Sequence, residues 1–162
     1  VAHAALLVIH PQATRGDVDL TIRPGPRRDL DGDPCGIRQI LVNLLGNAVK
    51  FTPAGGRVEF GWRIADSGDL IIEIVDTGIG IPVADLPRVT QPLHRGANAA
   101  AIGGSGLGLA ITRTLIELHG GKLEITSSVG KGTRARVILP AASLHVPADP
   151  ALSELSGPSR AA

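Results

Sequence analysis

Apolar residues recur at helical spacing between residues 33 and 50, and this stretch organises the rest of the chain. Asp33 suits the N-cap position, and Pro34 suits the first helical position, where a missing backbone N–H costs nothing. Pro53 disfavours helical geometry at Thr52, so the pattern predicts a helix that ends just before it. The apolar face of this helix is predicted to consist of Ile37, Ile40, Leu41, Leu44, Leu45 and Ala48.

Further segments have the patterns of strands. Residues 18–22 alternate between apolar and polar side chains, which is typical of a half-buried strand. Residues 57–65 and 70–76 flank a loop that contains glycine, and they predict a hairpin. The second of these strands is almost continuously apolar, which favours a central position in a sheet. Residues 122–127 and 133–139 predict two more strands.

Two further helices and an edge strand complete the predicted architecture. Residues 2–13 predict one helix, residues 27–31 predict a short edge strand, and a glycine-rich segment opens a second helix at residue 104. The apolar face of this second helix is expected to contain Leu109, Ile111, Leu115, Ile116 and Leu118. Helices and antiparallel strands alternate only loosely. The sequence therefore predicts an α/β two-layer sandwich, with a mixed, mostly antiparallel sheet of about five strands and three helices on one face.

Length and composition limit the function classes. The chain of 162 residues predicts one domain over 1–140, followed by a Pro-, Ala- and Ser-rich tail or linker over 141–162 that is expected to be disordered. A net charge of +1 predicts contact with neither nucleic acid nor a membrane surface. The lone Cys35 excludes an internal disulfide framework and favours a reducing, cytoplasmic location. Because the chain lacks methionine, we expect a piece of a longer protein, whose membrane anchor, if it has one, lies outside these residues.

Gly104, Gly106 and Gly108 lie where the second helix begins. Backbone N–H groups and the positive helix end at such a position favour an anion. A Rossmann fingerprint would need a strand just before it and a third glycine where Leu109 stands. A P-loop would need Gly-x-x-x-x-Gly-Lys-Ser/Thr, which the chain lacks. The loop is therefore either a flexible hinge or a phosphate site of another geometry.

Asp76 ends the apolar strand and is followed by glycines at positions 78 and 80. A carboxylate held there can accept a hydrogen bond from an exocyclic amine, and the glycines allow a flat ring to approach the backbone. The alternative is an ordinary Asp-x-Gly turn. Residues 83–103 show no core pattern, which predicts a mobile lid over a functional site.

Asn43, Asn47 and Lys50 form a polar stripe along the flank of the central helix, since they are spaced i, i+4 and i+7. Two amides and an ammonium at the edge of a core suit a metal ion and phosphate oxygens. They are equally compatible with solvated residues, so the stripe alone decides nothing.

The order of these elements resembles the motifs of bacterial sensor histidine kinases. Residues 39–53 resemble the N box, 76–82 the first glycine box, 91–95 the F box, 104–109 the second glycine box and 130–133 the last one. The resemblance runs from about residue 3 to residue 140 and identifies the chain as similar to the catalytic and ATP-binding (HATPase) domain of that family. The family has the Bergerat ATP-binding fold, which agrees with the predicted sandwich.

The resemblance implies that the domain binds ATP and Mg²⁺. Asn47 would ligate the metal, with Asn43 near the ion and the phosphates. Lys50 and Arg95 would face phosphate charge and, with Asn43, form the catalytic set. Asp76 would bind the adenine amine, supported by Thr133 through its hydroxyl or a water. The implied ATP-binding residues are Asn43, Asn47, Lys50, Asp76, Gly78, Gly80, Arg95, Gly104, Gly106, Leu107, Gly108 and Thr133.

The residue type at Asn43 also bears on the mechanism. In related gyrase and mismatch-repair ATPases, the corresponding position is a glutamate that activates water, whereas an amide cannot act as a general base. The resemblance therefore implies transfer of the ATP γ-phosphoryl to a histidine on a dimerisation domain outside this chain, because no histidine here has the acceptor pattern. A response regulator would be an indirect partner, and the fragment alone is expected to be monomeric.

One departure from the family keeps alternatives open. Leu93 stands where the F box normally has an aromatic residue, and the lid is rich in alanine. These features motivate the hypothesis of a pseudokinase or regulatory nucleotide-binding module without efficient transfer. A third hypothesis is an anti-sigma-factor-type serine kinase of the same fold.

Overall fold

The computed structural model describes residues 1–26, 29–30, 33–94, 102–103 and 105–145. Within these ranges the helices are α1 (Ala2–Arg15), α2 (Pro34–Phe51) and α3 (Gly108–Leu118). The strands are β1 (Asp19–Arg23), β2 (Asp29–Leu30), β3 (Arg57–Ile64), β4 (Leu70–Asp76), β5 (Lys122–Ser128), β6 (Gly132–Leu139) and β7 (Leu144–His145). Short 3₁₀ helices occur at Leu86–Arg88 and Ala141–Ser143. In the part of the chain described, no helix combines the length and hydrophobicity needed to cross a membrane.

The main sheet has five strands in the order β1-β3-β4-β6-β5. Only β1 and β3 are parallel, and the other neighbours are antiparallel. The predicted hairpin is formed by β3 and β4, and the apolar β4 is the middle strand, with Ile71, Ile72 and Ile74 buried. The predicted mixed, mostly antiparallel sheet of the two-layer sandwich is therefore confirmed.

The central helix begins and ends where local chemistry predicts. The Asp33 carboxylate accepts hydrogen bonds from the backbone N–H groups of Cys35 and Gly36, both at 2.9 Å, and Pro34 occupies the first turn. Thr52 leaves helical geometry, with φ −95° and ψ 122°, directly before Pro53. The predicted apolar face of α2 is buried and forms the core with α1 and with β3, β4 and β6.

The prediction of the buried apolar face of α3 is wrong for two residues. Ile111 is 46% exposed and Leu118 is 77% exposed, whereas Thr112 is fully buried. Thr112 and Ile116 are spaced i, i+4 and share the inner face, while Ile111 and Leu118 are seven residues apart and lie together on the outer one. Apolar residues occur on more than one side of this helix, so the sequence pattern alone does not indicate which side meets the protein, and packing against α2 decides it.

Two predicted segments extend beyond the residues that the structure describes. The predicted edge strand over 27–31 is described only at β2, which pairs antiparallel with β7. In the predicted tail over 141–162, residues 141–145 form the second 3₁₀ helix and β7. Residues 146–162 are not described, so the disorder expected there stays a prediction.

Candidate functional site

A cavity of about 340 Å³ lies between α2, the ends of β4 and β6, and the segments before α3. This volume is within the range of small-molecule sites. Most of the wall is apolar, from side chains that include Leu44, Ile79, Ile81, Val89, Ile102, Leu109 and Ile125. Its polar lining residues are Asn47, Lys50, Asp76, His94, Ser105 and Thr133. An apolar slot with few polar groups is suited to a flat heterocycle.

Asp76 lies on the cavity wall as the last residue of β4 and is only 8% exposed. Its Oδ1 accepts hydrogen bonds from the backbone N–H groups of Gly78 at 2.8 Å and Thr133 at 3.0 Å. Burial raises the pKa of this carboxyl, and the two hydrogen bonds act in the opposite direction. Among the described residues, both bonds fall on Oδ1, so Oδ2 is the oxygen that can accept from a ligand.

The glycines after β4 allow close packing of protein against protein. A Cβ at Gly78 would lie 2.8 Å from Asp76 Oδ1, and one at Gly80 would overlap the carbonyl oxygen of Ser128. Gly80 also has φ +70°, which favours glycine. Gly80 lines the cavity, but Gly78 is not among its lining residues. The predicted approach of a ring to the backbone therefore involves position 80, whereas the described contacts of Gly78 hold the Asp76 loop.

The polar stripe on α2 divides into two parts. Asn47 and Lys50 line the cavity, as the sequence predicts, and the Lys50 ammonium lies 4.9 Å from the Phe51 ring centroid. The Asn43 amide instead contacts protein. Its Oδ1 accepts from Gln39 Nε2 at 2.8 Å, and its Nδ2 lies 3.3 Å from the Gly108 carbonyl oxygen. Asn43 therefore fixes the first turn of α3 and is not among the lining residues.

The beginning of α3 faces the cavity. Gly106 and Gly108 line it, and the first backbone N–H groups of a helix have no intrahelical partner. Binding of phosphate at this loop stays a prediction. Leu107 is 37% exposed and is not a lining residue. Arg95 and Gly104, which the sequence predicts as phosphate-binding residues, lie outside the described residues.

The described half of the predicted lid places a histidine at the cavity. His94 lines the cavity. Its Nε2 is buried and lies 3.6 Å from Oδ1 of the buried Asp85. The Leu93 N–H donates to the Gly106 carbonyl oxygen at 3.1 Å, which ties this turn to the glycine loop. No pattern along the chain distinguishes a histidine that folds inward here from one facing solvent.

The donor set fits a metal ion that keeps other ligands. The described residues contain no group of three or more His, Cys, Asp or Glu side chains that could hold a metal by themselves. The Asn47 amide oxygen is a neutral, hard ligand at the cavity edge. Such a site suits Mg²⁺, which is commonly bound through one or two protein oxygens, phosphates and water.

Several proteins with a similar sequence or structure are named as histidine kinases. Residues 32–143 match the family described as histidine kinase-, DNA gyrase B- and HSP90-like ATPases. The circadian input-output histidine kinase CikA of Synechococcus elongatus is 38% identical over 93% of this chain and 20% of its own length. The solved structure of the mycobacterial sensor histidine kinase MprB has a TM-score of 0.79 and 31% identity, with 86% of this chain and 92% of that chain covered.

A full-length structure of ShkA in complex with AMPPNP is also similar, with a TM-score of 0.75, 28% identity, and coverage of 86% of this chain and 29% of that chain. The share of the similar protein that this chain covers differs widely, from 20% of the CikA sequence to 92% of the MprB chain in the solved structure. The chain spans about a fifth of the length of the curated relatives it matches first.

Proposed function

The chain belongs to the family of histidine kinase-, DNA gyrase B- and HSP90-like ATPases as a histidine kinase ATP-binding catalytic domain, and we propose that its parent protein transfers the γ-phosphoryl group of ATP to a histidine outside this chain. The observation that carries the proposal is the Asp76 carboxylate fixed on the wall of the apolar cavity. Similar proteins include CikA and MprB, which are named as histidine kinases, and one similar structure, ShkA, is a complex with AMPPNP. No observation favours the pseudokinase or the serine kinase hypothesis.

Each end of the nucleotide has a matching part of the cavity. Asp76 Oδ2 accepts a hydrogen bond from the adenine amine, and the aliphatic wall covers the faces of the ring. The phosphates extend toward Lys50 and the backbone N–H groups at the beginning of α3, where Gly106 and Gly108 line the cavity. Arg95 and Gly104 are proposed to complete this phosphate site, as the sequence resemblance implies.

Asn47 would hold Mg²⁺ together with phosphate oxygens and water. When bound, the ion neutralises charge that develops on the phosphates. Asn43 keeps its predicted place near the phosphates, and its described contacts indicate that it acts through the position of α3. Because neither asparagine can accept a proton as a base, the site holds ATP for an external nucleophile.

The partners follow from the same mechanism. The phosphoacceptor is a histidine on the dimerisation domain of the parent kinase, and a response regulator is served indirectly. The isolated chain is proposed to be monomeric. We place its work in the cytoplasm because ATP is available there and because its one cysteine has no intramolecular disulfide partner.

Calorimetric titration of the chain with ATP, with and without Mg²⁺, tests the proposal. Asp76→Asn replaces a charged acceptor and should weaken ATP binding roughly 10- to 100-fold. Asp69→Asn is the matched control, since Asp69 lies just before the opposite end of β4 and bonds Ala141 N. Asn47→Ala should reduce only the gain in affinity that Mg²⁺ provides. If the unsubstituted chain does not bind ATP, the proposal is contradicted. If binding is found, transfer of labelled phosphate to an added dimerisation domain tests the second step.

A further inference from the structure

The Ser127 hydroxyl lies behind the cavity wall, near the end of β5, and is not among the lining residues. Three polar groups converge on it. The Ile81 N–H donates to Ser127 Oγ at 2.8 Å, the Gly132 carbonyl oxygen lies 2.8 Å from Oγ, and Thr133 Oγ1 lies 2.9 Å from it. This hydroxyl therefore joins the loop after Asp76 to the β5–β6 turn.

The chemistry of these partners determines which group each of the two hydroxyl protons, on Ser127 and on Thr133, is donated to. A carbonyl oxygen only accepts, so the single hydroxyl proton of Ser127 is donated to Gly132. Ser127 then has no proton for Thr133, and the Thr133 hydroxyl must be the donor in the contact between the two oxygens. Since its proton is directed at Ser127, Thr133 Oγ1 presents only lone pairs to the cavity that Thr133 lines.

We propose that Ser127 is a positioning residue for base selection, which holds the Thr133 hydroxyl as an acceptor toward the bound base, directly or through one water. Together with Asp76 Oδ2, the site presents two acceptors to the same edge of the ring. A base with an exocyclic amine satisfies them, whereas a base with a carbonyl at that position leaves acceptors facing one another. This inference rests on the proposed function and concerns which nucleotide the ATP site takes.

The backbone around Ser127 keeps this arrangement in place. The Gly130 N–H donates to the Ile79 carbonyl oxygen at 2.9 Å, and the Thr133 N–H donates to Asp76 Oδ1 at 3.0 Å. These bonds do not use the serine side chain. Loss of the hydroxyl alone should therefore free the Thr133 proton to turn toward the cavity while the loop keeps its other attachments.

Calorimetry with ATP and with inosine triphosphate, which carries a carbonyl in place of the amine, tests the role. The ratio of the two affinities should fall about three- to tenfold in Ser127→Ala, because Thr133 can then donate to the carbonyl. Ser127→Thr keeps a hydroxyl and should retain the parent ratio. Ser128→Ala is the matched control, since Ser128 is an exposed neighbour on the same strand, and it should also retain that ratio.

Several results would overturn the inference. An unchanged ratio in Ser127→Ala, including equal weakening of both nucleotides, indicates a merely structural hydroxyl. Loss of discrimination in Ser127→Thr equal to that in Ser127→Ala contradicts the proton assignment. Thr133→Val completes a double-mutant cycle with Ser127→Ala. The double variant should have the same ratio of ATP to inosine triphosphate affinity as Thr133→Val alone, because Ser127 acts through Thr133. Binding of neither nucleotide by the parent chain would instead contradict the proposed ATP site itself.

Discussion

The Asn43 side-chain nitrogen lies 3.3 Å from Thr112 Oγ1, and this contact joins the central helix α2 to α3. Thr112 is fully buried, and the same nitrogen also lies 3.3 Å from the Gly108 carbonyl oxygen. The residue that the sequence resemblance places in the catalytic set thus holds together two helices that border the cavity.

Asn43→Ala should therefore destabilise the fold as well as the site. It removes the partner of the buried Thr112 hydroxyl, for which a loss of about 1–3 kcal/mol in the free energy of unfolding is expected. Gln39→Ala removes the exposed neighbour that donates to Asn43 and should cost no more than about 0.5 kcal/mol. Urea unfolding of both variants measures the difference. Equal losses in the two variants would show that the contact of Asn43 with α3 contributes no more to the free energy of unfolding than its exposed contact with Gln39 does.

The pH dependence of stability should carry a contribution from Asp76. Burial raises the pKa of its carboxyl above the ordinary value of 3.8. The folded state therefore holds this proton to higher pH than the unfolded state does. Its favourable contribution is complete below pH 3.8 and is lost as the pH rises through the raised folded-state pKa.

Asp76→Asn lacks this titration and provides the comparison. The free energy of unfolding of the parent, relative to that of Asp76→Asn, should decline from about pH 3 upward and become constant once the carboxyl is ionised. Urea unfolding at a series of pH values gives both curves. If the free energy of unfolding of the unsubstituted chain rises relative to that of Asp76→Asn as the pH rises, the hydrogen bonds from Gly78 and Thr133 affect the pKa of Asp76 more than burial does.

Two glycines with positive φ, one in the turn between β5 and β6 and one at the first residue of β6, allow the cost of backbone strain to be measured apart from that of steric overlap. Gly130 has φ +73° and Gly132 has φ +88°. A Cβ at Gly130 meets nothing within 4 Å, whereas one at Gly132 would overlap the carbonyl oxygen of Asp76. Gly130→Ala should cost about 1–2 kcal/mol from the left-handed conformation alone.

Gly132→Ala should exceed that loss by about 2 kcal/mol or more, because the strand that carries Asp76 must move. Chemical denaturation of the two alanine variants measures this gap. Similar values for both would mean that β4 and the turn are less closely packed than the Cβ geometry at Gly132 indicates.

Local chemistry explains which parts of the fold could be predicted. The bounds of α2 follow from Asp33, Pro34 and Pro53, whose effects extend over one helical turn, and the middle position of β4 follows from its apolar run. The predicted cavity residues Asn47 and Asp76 likewise lie on regular elements whose direction a pattern reveals.

The remaining features depend on contacts between distant segments. The Ser127 hydroxyl accepts a hydrogen bond from Ile81, which is 46 residues away, and its contacts with Gly132 and Thr133 depend on the register of β5 with β6. The buried Thr112 hydroxyl is paired with Asn43 across 69 residues. No periodicity in a single chain encodes such pairings, so neither the hydrogen bonds of Ser127 nor the contact of Asn43 with Thr112 could be predicted from the sequence.

The exposed and buried isoleucines of α3 provide the sharpest test of how this helix is seated. Ile116 is fully buried, so Ile116→Ala should lower the free energy of unfolding by about 2–5 kcal/mol through the cavity it leaves. Ile111 is 46% exposed, and Ile111→Ala should cost less than about 1 kcal/mol. The two substitutions remove the same atoms from the same helix, so propensity effects cancel in the comparison. Comparable losses in urea unfolding would mean that the outer face of α3 is also covered in the isolated chain, which would contradict the observed burial of only Thr112 and Ile116 on this helix.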